Sequence, residues 1–163
     1  QQEFQPQLEA VYQHLKVFMG MKFFNKHKPN VSAQIGAMKS KYPQFKAKHL
    51  SNDTVTFIGD LMIKPELPIY SVSVEYRGTL SPRVRVIEPK LVENPPHFYK
   101  NTECLCLYHS DDFKWDCRKL VAKEIMSWTI AWLYFYEAWL QTGKWLGPES
   151  HHTPNTIKED KDE

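Results

Sequence analysis

A chain of 163 residues with 42% apolar and 13% aromatic side chains is long enough for one domain with a real core and too short for two comfortable ones. That composition excludes a disordered chain, and three cysteines (Cys104, Cys106 and Cys117) exclude a disulfide framework. The net charge of +2 is uneven: residues 1–50 carry eight lysines against Glu3 and Glu9, or +6, which leaves −4 for the rest.

The odd cysteine count points to a reducing compartment, so a cytoplasmic location without a secretory leader is expected. The longest apolar stretch, Ile125 to Leu140, is interrupted by Ser127, Thr129 and Glu137 and falls short of the roughly 20 residues a bilayer span needs, so no membrane partner is expected. The basic N-terminal third reads either as a docking face for an acidic partner or as a solvated lysine face. Its lysines lack the interleaved stacking platform of nucleic-acid binders, and no nucleic-acid partner is expected.

In chain order, Pro6 suits a first helical turn, and Leu8, Val11, Tyr12, Leu15, Phe18 and Met19 form an amphipathic stripe that ends before Pro29. Ser32 is placed to cap a shorter helix through Ile35 and Met38, which the pre-proline residue Tyr42 ends. The apolar period then changes to two. Runs at Thr54–Ile63, Ile69–Tyr76 and Arg83–Ile87, separated by Pro65–Pro68 and Gly78–Pro82, read as an antiparallel meander of three or four strands.

Residues 88–115 form a long proline- and histidine-rich connection whose aromatic content predicts that it is packed. Asp116, with Trp115 before it and Leu120 after it, matches a helix cap with a hydrophobic staple. The helix it would open runs to Thr142, where Gly143 supplies a left-handed stop, and a break near Ser127 is allowed. Residues 150–163 are polar and charged. Helices, a meander, a loop and helices together make an α+β domain.

The densest reactive patch is His97-Phe-Tyr-Lys-Asn-Thr-Glu-Cys104-Leu-Cys106-Leu-Tyr-His109. A thiolate at Cys106 would attack acyl carbons well and leave well afterwards. Small buried cysteines are equally at home in a core. Cys-x-Cys lacks the two-residue knuckle spacing of zinc sites, and no metal or other cofactor is expected. Spacing alone does not separate the nucleophile from the core cysteine.

The order of elements adds to this. Tyr42-Pro43-x-Phe45 precedes the first strand run, Pro82-x-Val84 marks the third, and Pro96-His97 leads to Leu105-Cys106-Leu107-Tyr108. Trp115 and Tyr136-Glu137-x-Trp139-Leu140-x-Thr142-Gly143-x-Trp145-x-Gly147 follow. This succession resembles the ubiquitin-conjugating enzymes, and more closely their prokaryotic relatives: the standalone conjugating enzymes of bacterial antiphage systems that signal with cyclic oligonucleotides (CBASS). The resemblance implies a conjugating-enzyme-like α+β fold in which an antiparallel meander is flanked by N- and C-terminal helices. It divides the chain into a helical extension (1–31), a catalytic domain (32–152) and a polar tail (153–163). It implies a thioester between Cys106 and the C-terminus of a partner, a nucleotide cyclase or a ubiquitin-like protein, with an activating enzyme as a further partner. The rival is a non-catalytic interaction module of the same fold.

One position departs from the eukaryotic pattern. The asparagine found about eight residues before the cysteine, whose amide stabilises the oxyanion, is replaced by Phe98. Asn101 and His97 are the candidates to substitute for it. His109 is the candidate to support the thiolate or accept a proton from an incoming amine, and otherwise a surface histidine. Asp111 and Asp112 could orient a lysine ammonium, or merely solvate a loop. Trp128, Trp132, Phe135 and Trp139 recur at helical spacing and are expected to pack under the sheet, with a membrane-surface or partner groove as the minor reading.

Overall fold

The computed structural model describes residues 28–148. The helix expected over Leu8–Met19, most of the basic N-terminal third and the polar tail lie outside the described residues. Within them, helix α1 (Val31–Lys41) is followed by strands β1 (Lys46–Ser51), β2 (Thr54–Met62), β3 (Ile69–Arg77) and β4 (Leu80–Glu88). A short hairpin, β5 (Phe98–Tyr99) with β6 (Cys104–Leu105), and helix α2 (Glu124–Thr142) complete the fold.

The four long strands form one antiparallel meander in the order β1-β2-β3-β4, so the α+β architecture with flanking helices is as the sequence predicts. Period-two alternation puts Val55, Phe57, Leu61, Tyr70, Val72, Val74, Tyr76 and Val84 on the inner face, each at most 4% exposed. Met38 of α1 and Ile125, Met126, Leu133 and Tyr136 of α2 close the core.

Four local expectations need correction. The cap of α1 is Asn30 rather than Ser32: its side-chain oxygen accepts from the Ala33 amide at 2.9 Å. The helix does end before Tyr42. The N-terminal strand β1 carries lysines where a buried strand would carry apolar residues, as suits a sheet edge. Strand β4 starts at Leu80, before Pro82, because β4 is the other edge and its ladder is already irregular opposite Glu75–Arg77.

The fourth correction concerns Asp116, which caps a turn and not the long helix. Its carboxylate accepts from the Arg118 amide at 2.9 Å, and its carbonyl accepts from the Lys119 amide at 2.9 Å. The chain cannot run on as helix there because α1 and β3 hold it. The buried Gln34 amide donates to the Lys119 carbonyl (2.8 Å) and accepts from the Val121 amide (2.9 Å), while the Tyr76 hydroxyl donates to the Cys117 carbonyl (3.0 Å). Helix α2 starts only at Glu124 and runs unbroken past Ser127, whose hydroxyl donates back to the Lys123 carbonyl at 2.7 Å. It ends as expected at Gly143, whose φ of 70° is the left-handed geometry that glycine adopts without penalty.

Candidate functional site

The long connection folds on itself. Phe98 pairs with Leu105 and Tyr99 with Cys104, and the turn between them is closed by the Thr102 amide donating to the Tyr99 carbonyl at 3.2 Å. The Arg85 guanidinium donates to the Thr102 carbonyl at 3.1 Å, which ties the hairpin to β4. One step beyond the ladder the Cys106 amide donates to the His97 carbonyl at 2.8 Å. The same carbonyl accepts from the Trp132 indole of α2 at 3.0 Å. Sheet edge, hairpin and helix therefore fix the backbone at Cys106 together.

Cys106 is buried, at 6% exposed, yet it lines a pocket of about 150 Å³. Trp128, Ala131, Trp132 and Phe135 form one wall, one stripe of α2 at helical spacing. Leu107, Tyr108 and His109, which follow the thiol in the chain, also line the pocket, with Tyr108 6.3 Å from the Trp128 ring between centroids. The chain after α2 turns back to complete the enclosure: Trp145 lies against the His97 ring (4.8 Å between centroids), Trp132 (5.8 Å) and Phe135 (5.9 Å). This return is tight at Gly147, where a Cβ would sit 2.7 Å from the Phe135 ring and 2.9 Å from the Trp145 indole nitrogen. That nitrogen is buried and has no hydrogen-bond partner among the described residues, a cost the ring packing must offset.

The Cys106 thiol donates to the Tyr99 hydroxyl at 3.2 Å. The Tyr99 phenol is pushed up to about 12, first by its hydrogen bond with Cys106, in which the phenol becomes the donor once the sulfur is a thiolate, then by burial and by the negative charge Cys106 can carry. Tyr108, packed edge-on to Phe113 (4.6 Å), is also shifted upward by burial. The other thiols are spent locally: Cys104 donates to the Thr102 carbonyl at 3.2 Å, and Cys117 is buried at 4% exposure beneath Tyr76.

Of the residues singled out in the sequence, His97, Cys106, His109 and Asp112 come together around the pocket. His97 reaches Cys106 through its backbone, and its φ of 52° is a strained, left-handed value for a residue with a side chain. The Nδ1 of His109 lies 3.3 Å from the Asp111 carboxylate and 3.3 Å from the Asp111 amide. The His109 carbonyl accepts from the Asp112 and Phe113 amides, each at 3.1 Å. Asn101 is exposed on the hairpin turn, at the end remote from Cys106.

Sequence reasoning passed over Tyr99, Trp132 and Trp145 as site residues. The hairpin register would have found Tyr99, since it lies diagonally across the ladder from Cys106 on the same face. The aromatic stripe of α2 packs against the core at Trp132 and Trp139, and Trp128, Trp132 and Phe135 of the same stripe also line the pocket. Among the described residues no three His, Cys, Asp or Glu side chains are grouped to hold a metal, and no helix is long and apolar enough to cross a membrane.

Residues 34–153 match the family model described as Type II CBASS E2 protein, and the chain belongs to that family. Membership makes it a conjugating-type protein of antiphage defence that works with other CBASS proteins. No curated protein matches the sequence.

Proposed function

We propose that this protein is an acyl carrier and transferase in which Cys106 takes the C-terminal acyl group of a partner protein as a thioester and passes it to an amine. The observation that supports the reading is the setting of Cys106: a thiol on a triply fixed backbone, lining a pocket with two histidines and hydrogen-bonded to a phenol. Such rigidity suits a nucleophile whose attack geometry matters.

A free carboxylate does not acylate a thiol, so the donor arrives activated, as a thioester or a mixed anhydride made by an activating enzyme. By the resemblance stated above, that donor is the C-terminus of a nucleotide cyclase or of a ubiquitin-like protein. In the first step the Cys106 sulfur bonds to the carbonyl carbon, and the donor's leaving group departs with the bonding electron pair. In the second, an amine attacks the same carbon, the amine proton passes to His109 or solvent, and the Cys106 thiolate leaves. The aromatic pocket excludes water from the thioester, which favours transfer over hydrolysis.

Co-expression with the neighbouring genes followed by mass spectrometry of Cys106 tests this. A thiol-labile protein adduct on Cys106 is expected. A chain recovered without any adduct, in cells where its partners are made and active, would leave the non-catalytic interaction module as the better reading.

A further inference from the structure

Acyl transfer to a thiol places negative charge on two atoms in turn, the sulfur before attack and the carbonyl oxygen after it. A donor already aimed at both is worth most in a site that excludes water. Phe98 occupies the spacing expected of an oxyanion donor, but its ring packs toward the core. Its neighbour Tyr99 carries the polar group that reaches the sulfur.

The placement of Tyr99 follows from the backbone. It pairs with Cys104, so Cys106 is its diagonal neighbour on the same face, within reach of a long aromatic side chain. Its hydroxyl lies 3.2 Å from the Cys106 sulfur, while the ring borders a second concavity floored by Leu105, Leu107 and Tyr108. The Tyr99 side chain thus stands beside the thiol on the flank away from the aromatic pocket, where an acyl carbonyl bonded to sulfur could turn its oxygen.

We propose that Tyr99 is the catalytic hydrogen-bond donor of this centre, its O–H resting on the Cys106 thiolate and then on the carbonyl oxygen as the carbon becomes tetrahedral. The proposal rests on the acyl-carrier reading of Cys106. In the step it serves, the sulfur–carbon bond forms and the bond from that carbon to the leaving group breaks. The leaving group takes the electron pair and the proton that Cys106 released, and Tyr99 keeps its own. An ordinary phenol already keeps its proton across the neutral range, and the upward shift of Tyr99 only widens that margin.

The test is Tyr99→Phe in the full chain, with two readouts. Alkylation of Cys106 by iodoacetamide, followed across pH by peptide mass spectrometry, should shift its midpoint upward, because the thiolate loses a donor. Single-turnover acylation of Cys106 by the activated donor should slow by on the order of a hundredfold, the usual loss for one oxyanion donor. An unmoved alkylation midpoint overturns the role at sulfur, an acylation rate within about threefold of wild type overturns the role at oxygen, and either result defeats the proposal. The alkylation arm needs no acyl donor. Failure of the acyl-carrier reading would instead show as a wild-type chain that never forms a thiol-labile adduct. Tyr99 is 46% exposed, so loss of its hydroxyl leaves the fold intact, and a purely structural role would not move the alkylation profile.

Discussion

His97 and Cys106 face each other one step past the end of the β5–β6 ladder, joined by the 2.8 Å hydrogen bond from the Cys106 amide to the His97 carbonyl. The position of the thiol therefore depends on the backbone of His97, and that backbone sits at a φ of 52°. A side chain there costs on the order of 1 kcal/mol that glycine escapes. His97→Ala and His97→Gly both lose the ring contact with Trp145, yet the glycine variant should be the more stable by about 1 kcal/mol in urea unfolding. If the two variants unfold at the same urea concentration, the strained backbone is not what His97 contributes. Acyl-transfer rates for the same pair then separate the ring from the backbone, because only the ring is missing from both.

The three cysteines differ in what holds them, and that gives a sharper test of the nucleophile. Cys106→Ala should abolish adduct formation. Cys104→Ala removes a thiol already engaged with the Thr102 carbonyl, and Cys117→Ala removes one packed in the core, so both should keep most of the adduct. Cys117→Ala should nonetheless lose about 1 kcal/mol of stability, since it empties space in a closed core. An adduct that survives in the Cys106 variant and disappears in the Cys104 variant would reassign the nucleophile.

Gly147 reports on the enclosure of the pocket. Its added Cβ would meet the Phe135 ring at 2.7 Å, so Gly147→Ala forces the Trp145–Pro148 return away from α2. Overpacking of this kind typically costs about 1–3 kcal/mol. The expected signature is a shift in tryptophan emission together with faster alkylation of Cys106. Unchanged emission with an unchanged alkylation rate would mean that the return does not shield the thiol.

Much of the fold was legible because burial imposes periodicity. Strands β2 and β3 alternate cleanly, Gly143 marks the helix stop, and the order of motifs around Cys106 carries the family. What escaped the sequence lies where tertiary contacts override local signals. Asp116 has the chemistry of a helix cap, but Gln34, some 80 residues away in the chain, claims the following amides and carbonyls and delays the helix to Glu124. The lysines of β1 hide a strand because an edge needs no apolar alternation on its outer face. Tyr99 escaped because its closeness to Cys106 comes from hairpin register, which depends on where the turn closes. The aromatic stripe of α2 could be seen, but not that three of its four residues, Trp128, Trp132 and Phe135, line the pocket beside Cys106.

Alkaline pH tests how the phenols of this fold are held. Tyr42, Tyr70, Tyr76, Tyr99 and Tyr108 are all shifted upward from the ordinary phenol value, chiefly by burial and, for Tyr99, chiefly by its bond to Cys106. For Tyr70 the hydrogen bond it donates to the buried Glu137 carboxylate adds to the shift. In each case the folded state holds the proton more tightly than the unfolded chain does. The resulting stability is fully present below the unfolded phenol value, near pH 10, and is lost as pH rises through the folded values. Above about pH 10 the unfolded chain binds fewer protons than the native state, so unfolding free energy falls by up to about 1.4 kcal/mol per pH unit for each of Tyr42, Tyr70, Tyr76 and Tyr108, and by less for the solvent-screened Tyr99. Urea unfolding between pH 8 and 11 should show a flat region followed by this decline, while the phenolate absorbance of the native protein lags behind that of unfolded chain. Tyr99→Phe should reduce the slope by less than one proton, because its phenol is partly exposed. Stability that stays level through pH 11, or native phenolate absorbance that rises together with that of the unfolded chain, would mean that these hydroxyls are not held as the structure places them.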